Sequence, residues 1–177
     1  MKKKIILIGM MGSGKTTIGK ILAKKLNLNF IDTDQVVEKK YNLTIKKIFD
    51  EFGENFFRLK EEKIILKILQ KKTPSVIALG GGAFLNKKIR NIILKDFISI
   101  WLNTKLEVIY KRCKNSNKRP LLNNKNKKDL KITIKDIFKT RRTIYSKAKF
   151  MVKTNDSPKL ICTEIIKKIN RFIELKK

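Results

Sequence analysis

Two kinds of hydrophobic pattern alternate along this chain. Short runs are apolar at nearly every position: "KIILI" near residue 6, "NFI" ending at Ile31, "SVIAL" at 75–79, "FISIWL" at 97–102 and "KFMVK" at 149–153. Between them lie longer stretches with a 3.6-residue apolar spacing, among them "IGKILAKKL", "FFRLKEEKIILKIL", "KLEVIYKRC" and "SPKLICTEIIKKINRFIEL". A strand with one wet face alternates apolar with polar, whereas a strand covered on both faces is apolar throughout. Strands of the second kind, separated by amphipathic helices, predict a parallel sheet between two helical layers: an α/β layered domain. The segment "NSNKRPLLNNKNKKD", Asn115 to Asp129, shows neither period and reads as a long loop of the kind that forms lids. No composition break marks a linker, so the expectation is one domain over residues 1–177, with the lid at about 115–128.

The glycines sharpen this picture. Of eight, Gly9, Gly12, Gly14 and Gly19 follow the first strand, Gly80, Gly81 and Gly82 follow the "SVIAL" strand, and Gly53 stands apart. Ligands of open α/β sheets bind beyond the carboxyl ends of strands, where both clusters fall. "GMMGSGKT", Gly9 to Thr16, is the G-x-x-x-x-G-K-[ST] phosphate loop, placed between an expected strand and an expected helix. Backbone N–H groups of such a loop surround phosphate oxygens, Lys15 reaches the β- and γ-phosphates, and the Thr16 hydroxyl is a ligand for Mg²⁺. Gly12, Ser13, Gly14 and Thr17 complete the cradle. A glycine-rich turn without ligand is the weaker alternative. The loop specifies a nucleoside triphosphate, ATP by expectation, but not the acceptor.

Other residues bear on the acceptor. In "FIDTDQ", Asp32 and Asp34 are two apart at a strand end, so an extended chain would aim both carboxylates into the site. One would serve the metal and the other orient a hydroxyl, although Asp34 equally suits a helix N-cap. Arg58 is either a surface residue paired with Glu61 one turn on, or a fork for a substrate carboxylate. Arg112, Arg119 and the pair Arg141–Arg142 stand out in a chain that prefers lysine. A lid arginine at 119 would close over the γ-phosphate and exclude water.

Composition changes little. The net charge is +29, yet lysines occur in almost every segment alongside abundant Asn and Ile, the trio that A- and T-rich codons encode. Without stacking platforms or nucleic-acid motifs, the charge predicts no nucleic-acid partner. The two cysteines, Cys113 and Cys162, are far apart and the chain has no histidine, which argues against a zinc site or disulfide framework and for a reducing cytoplasm. The opening "MKKKIILIGMMG" imitates a signal peptide but runs directly into "GSGKTT", and no segment reaches membrane-spanning length.

In order, "GMMGSGKTTIG", "FIDTD", "IFDEFGENFFRLKEE", "LGGGAF", "KRPLL" and "RRTIY" resemble the shikimate kinases over nearly the full chain. The resemblance implies a nucleoside-monophosphate-kinase-like P-loop fold: three layers around a five-stranded parallel sheet of order 2-3-1-4-5. It implies transfer of the ATP γ-phosphate to the shikimate 3-hydroxyl, with Mg²⁺, by a cytoplasmic monomer. Carried onto this sequence, it makes Lys15, Asp34 and Arg119 catalytic and gives the metal to Thr16 and Asp32. It places Asp34, Arg58, Gly80, Gly81, Gly82 and Arg142 on shikimate, and Arg112, Arg119 and Asn155 on ATP. The Asn- and Lys-rich lid and the methionines at 10 and 11 depart from the family pattern. The nearest rival is another small-molecule P-loop kinase, such as a gluconate kinase. A P-loop protein that binds nucleic acid is the rival of a different class.

Overall fold

The structure is a computed structural model that describes residues 4–114, Leu122 and 127–175. Five strands, β1 (Lys4–Ile8), β2 (Asn29–Asp32), β3 (Ser75–Ala78), β4 (Ile98–Asn103) and β5 (Phe150–Lys153), form one sheet. Every pairing is parallel and the order is β2-β3-β1-β4-β5, as the resemblance implies. The two cores explain why the strands are apolar throughout. Ile6 and Ile8 of β1, Ile77 of β3 and Trp101 of β4 face one helical layer, while Ile5, Leu7, Val76, Ile100 and Leu102 face the other. Each neighbour in sequence serves the opposite core.

The second layer consists of α1 (Lys15–Leu26) and α7 (Pro158–Glu174), which pack Leu22 and Ile165 against each other's sheet face. The first layer holds α2 (Thr33–Tyr41), α3 (Ile45–Gln70), α4 (Lys87–Asp96), α5 (Leu106–Cys113) and α6 (Lys127–Tyr145). α1 starts after Gly14, which sits at φ +92° and caps it with no side chain. Its first turn therefore keeps backbone N–H groups for a ligand.

Two features depart from the sequence expectations. α3 begins eleven residues before "FFRLKEE", and Gly53, at φ +78° and ψ 169°, bends it. A side chain at that φ would be strained, so glycine permits the bend. α6 begins at Lys127, so the last residues of the expected loop over 115–128 are already helical.

Lys4 is a third surprise. It opens the apolar run of β1, and its side chain is only 2% exposed. Its Nζ donates to the Leu69 carbonyl at 2.6 Å and to that of Lys71, and lies 5.2 Å from the Phe97 ring centre. The ammonium thus satisfies orphan carbonyls at the negative end of α3. Lys4→Met keeps the volume and removes these charged hydrogen bonds. It is expected to cost about 2–3 kcal/mol in urea unfolding, and an unchanged midpoint would show that Lys4 caps nothing of consequence.

Candidate active site

A cleft of about 560 Å³ opens beyond the carboxyl ends of β1, β2 and β3. At one end lies the phosphate loop: Gly12, Ser13, Gly14, Lys15, Thr16 and Thr17 all line it. The Lys15 Nζ folds back on its own loop, donating to the carbonyls of Gly9 at 2.9 Å and Met10 at 3.0 Å. A triphosphate would offer stronger, charged acceptors to the same ammonium. Arg112, at the end of α5, donates from Nη1 to the Gly12 carbonyl at 2.8 Å and lines the cleft. Close packing dictates glycine at position 9, where a Cβ would stand 2.8 Å from the Leu102 carbonyl oxygen.

Thr16 and Asp32 meet directly, the hydroxyl donating to Oδ2 at 2.7 Å. The other oxygen of Asp32 accepts from the Asp34 N–H at 3.1 Å and so caps α2. The capping role thus belongs to Asp32 rather than Asp34, and Asp34 sits in the first helical turn rather than in an extended chain. Both carboxylates still line the cleft, because the strand ends between them. A hydroxyl beside a carboxylate is a hard oxygen pair, and among the described residues no group of three or more His, Cys, Asp or Glu is placed to hold a metal ion. Such a sparse donor set fits Mg²⁺, which keeps waters and binds phosphate oxygens rather than entering a protein cage.

At the other end, Asp34, Arg58, Glu61 and Arg141 converge on the triple glycine. Glu61 is 2% exposed, and its Oε2 accepts from Arg58 Nη1 at 2.7 Å while its Oε1 has no partner. Glu54 accepts from Arg58 Nε at 3.1 Å and Nη2 at 2.9 Å. Both open readings of Arg58 therefore hold in part: it is paired with Glu61 and it faces the cleft. Burial would lower its pKa, but the two carboxylates outweigh that and raise it. Burial raises the pKa of Glu61, against the pull of Arg58. Burial, reinforced by Glu61, pushes Asp34 from 3.8 up to about 7, with Lys15 opposing.

Each glycine has its own reason. A Cβ at Gly80 would stand 2.5 Å from Glu61 Oε1 and 2.6 Å from Asp34 Oδ1, so glycine lets two carboxylates close on one point. The Gly80 N–H donates to the buried Thr33 hydroxyl at 2.8 Å. A Cβ at Gly82 would strike the Arg58 guanidinium at 2.6–2.7 Å, so that glycine is the seat of the fork. Gly81 and Gly82 line the cleft, whereas Gly80 lies beneath it.

Two expected residues are displaced. Arg142 is exposed and away from the cleft, while its neighbour Arg141 is 7% exposed and lines it. Successive residues of a helix point about 100° apart, so only one of the pair can face inward. Asn155 is exposed too; Thr154 and Asp156 line the cleft on either side of it. Arg119 lies outside the described residues. Reading the sequence missed Tyr145, Thr33 and Glu54, and took Glu61 only as a partner for Arg58. The i, i+3 and i, i+4 spacing of Glu54, Arg58 and Glu61 was the signal available for the acidic pair.

The comparisons with known proteins agree with this geometry. The family model described as shikimate kinase matches residues 11–170. The shikimate kinase of Persephonella marina is 40% identical over 168 residues, covering 94% of this chain and 99% of its own. That of Bartonella quintana is 38% identical over 173 residues, 97% of this chain and 80% of its own. A solved structure of Acinetobacter baumannii shikimate kinase in complex with shikimate superimposes with a TM-score of 0.87 at 31% identity, covering 99% of this chain and 94% of its own. With the phosphate loop, the paired carboxylates and the triple glycine all in one cleft, and a family match across nine-tenths of the sequence, this chain belongs to the shikimate kinase family.

Proposed function

We infer that the chain transfers the γ-phosphate of ATP to the 3-hydroxyl of shikimate, giving shikimate 3-phosphate and ADP. One observation carries the acceptor assignment. At the end of the cleft away from Lys15, two arginines, Arg58 and Arg141, flank Asp34 across the glycine floor. Arg141 forms no ion pair with a carboxylate among the described residues, although it lies near Glu61. A buried guanidinium held in no salt bridge of its own supports an anionic ligand, and a carboxylate matches its planar fork.

In this arrangement Arg141 and Arg58 hold the shikimate carboxylate, and the ring hydroxyls meet Asp34. The 3-oxygen attacks the γ-phosphorus as the bond to the ADP oxygen breaks. The hydroxyl proton passes to Asp34, whose carboxylate orients the attacking lone pair. Phosphoryl transfer through a loose transition state asks little base strength, so alignment is the larger contribution. Lys15 moves from its own loop onto the phosphates and offsets their charge. Thr16 and Asp32 would hold Mg²⁺ beside them, and the ion would supply further charge neutralisation at the β- and γ-oxygens. Arg112 leaves the Gly12 carbonyl for the nucleotide, and Arg119 is assigned to the γ-phosphate by the sequence pattern and the family resemblance. Thr154 and Asp156 replace Asn155 at the base end. A monomer is carried over from the resemblance, and both cysteines are free and buried, in keeping with a cytoplasmic setting.

A coupled assay of ADP release tests the reading, with Mg²⁺-ATP and either shikimate or gluconate as acceptor. ADP formed on addition of shikimate and not of gluconate is expected. ADP released with gluconate, or with no acceptor at all, would overturn the assignment.

A further inference from the structure

The hydroxyl of Tyr145 donates to the Gly81 carbonyl, and the Arg141 guanidinium lies beside it. Tyr145 is fully buried at the C-terminal end of α6 and stands one turn beyond Arg141, so the two side chains share a face. Its ring rests against Trp101 of β4, centroids 6.2 Å apart. A Cβ on Gly81 would lie 3.5 Å from Arg141 Nη1, which puts the guanidinium directly on the glycine backbone.

We propose that Tyr145 is a positioning residue for the acceptor site, setting both the Arg141 fork and the Gly81–Gly82 peptide through one hydroxyl. The proposal rests on the reading of Arg141 as a carboxylate ligand. A phenol has one proton, committed here to the Gly81 oxygen, so its lone pairs are left as acceptors for the neighbouring Arg141 guanidinium. Burial holds the phenol above its ordinary pKa of 10, opposed by the nearby Arg141, so it remains a donor at neutral pH.

The second bond has a consequence one peptide further on. The chain contains no cis peptide bond among the described residues, so C=O and N–H of each unit point in opposite directions. Drawing the Gly81 oxygen onto Tyr145 turns the Gly82 N–H away from Tyr145. Gly82 lines the cleft, so the hydroxyl fixes the backbone there as well as a guanidinium. Neither group needs reorganisation when substrate arrives, which is how a buried residue that touches no ligand affects binding.

Tyr145→Phe removes one oxygen and keeps the ring on Trp101. The expected result is a KM for shikimate raised about tenfold, with KM for ATP within twofold and kcat lowered less than threefold. A generally loosened fold would move both KM values together, and an equal shift would overturn the proposal; so would an unchanged KM for shikimate. A second comparison uses Arg141→Lys, which keeps the charge but not the planar fork. If Tyr145 acts partly through Arg141, the double variant loses less than the product of the two single losses. Losses that multiply fully would sink that link. The wild type assayed alongside separates the levels: no turnover of shikimate by wild type rejects the acceptor reading itself, whereas normal wild-type turnover with an indifferent Tyr145→Phe rejects only the role of the tyrosine.

Discussion

Asp34→Asn is expected to lower kcat about a thousandfold and, at pH 8 without ligands, to make the protein harder to unfold. The two effects have one source. Asp34 lies where burial and the Glu61 and Asp32 carboxylates penalise its charge, and its pKa rises from 3.8 to about 7. In the folded state the group binds a proton more tightly than in the unfolded chain. Stability therefore falls as pH climbs from about 3.8 through about 7, and above that range the full cost of the charge is present. Asn has nearly the shape of the neutral acid and escapes that cost. Thermal or urea unfolding should show the variant ahead by about 1–3 kcal/mol at pH 8, after allowance for partial solvent access, with the gap closing toward pH 4.5. The catalytic loss follows because the amide cannot take the 3-hydroxyl proton and points an N–H where an acceptor is needed. A kcat within threefold of wild type would remove Asp34 from the mechanism. A gap between variant and wild type no larger at pH 8 than at pH 4.5 would mean that the site does not strain its carboxylate.

The stability result bears on why the site is built so. Glu61 Oε1 and Asp34 Oδ1 both lie within 2.6 Å of the place where a Cβ of Gly80 would be, and Oε1 has no hydrogen-bond partner. Two acids so close are poor for folding but good for holding an acceptor hydroxyl, whose proton would relieve part of the repulsion. Arg58 and Arg141 moderate the field and Lys15 opposes it from the phosphate side.

Much of this was legible in the sequence, for physical reasons that differ by element. Strands β1, β3 and β4 could be read because both faces are covered, which leaves a run with no polar interruption. The phosphate loop could be read because its chemistry is carried by backbone and by Lys15 and Thr16, whose spacing the strand–loop–helix junction fixes. Lys4 and Tyr145 were missed for a common reason. Each is polar and buried, and each is satisfied by a carbonyl more than sixty residues away in sequence. No local pattern reports such a partner. Gly53 was noted as isolated, but the bend it makes depends on where α3 must turn to bring Arg58 and Glu61 to the cleft. The sequence left the capping of α2 open at Asp34, whereas Asp32 caps it; the two acids have the same chemistry, and only the end of β2 distinguishes them.

The adjacent arginines pose that problem in its sharpest form, and the second large effect decides it. Arg141→Ala is expected to raise KM for shikimate about a hundredfold, with KM for ATP little changed, whereas Arg142→Ala should leave both within twofold. The family resemblance placed the role on Arg142, yet the two differ by about 100° around α6. The helix turns Ile134, Arg141 and Tyr145 inward together, at spacings of seven and four. Arg142 falls on the solvent side with Lys135 and Lys139. Burial decides the size of the effect as well as its location. A guanidinium held out of water loses little on meeting a carboxylate and gains two charged hydrogen bonds, about 2–3 kcal/mol, which is a thirtyfold to hundredfold change in affinity. The exposed one meets a carboxylate across water and salt, where a pair contributes a fraction of a kcal/mol. Steady-state kinetics of the two single variants, with shikimate and ATP varied separately, distinguish these cases. A large KM effect at Arg142 with none at Arg141 would require α6 to rotate by a full residue on binding, and would reject the site described above.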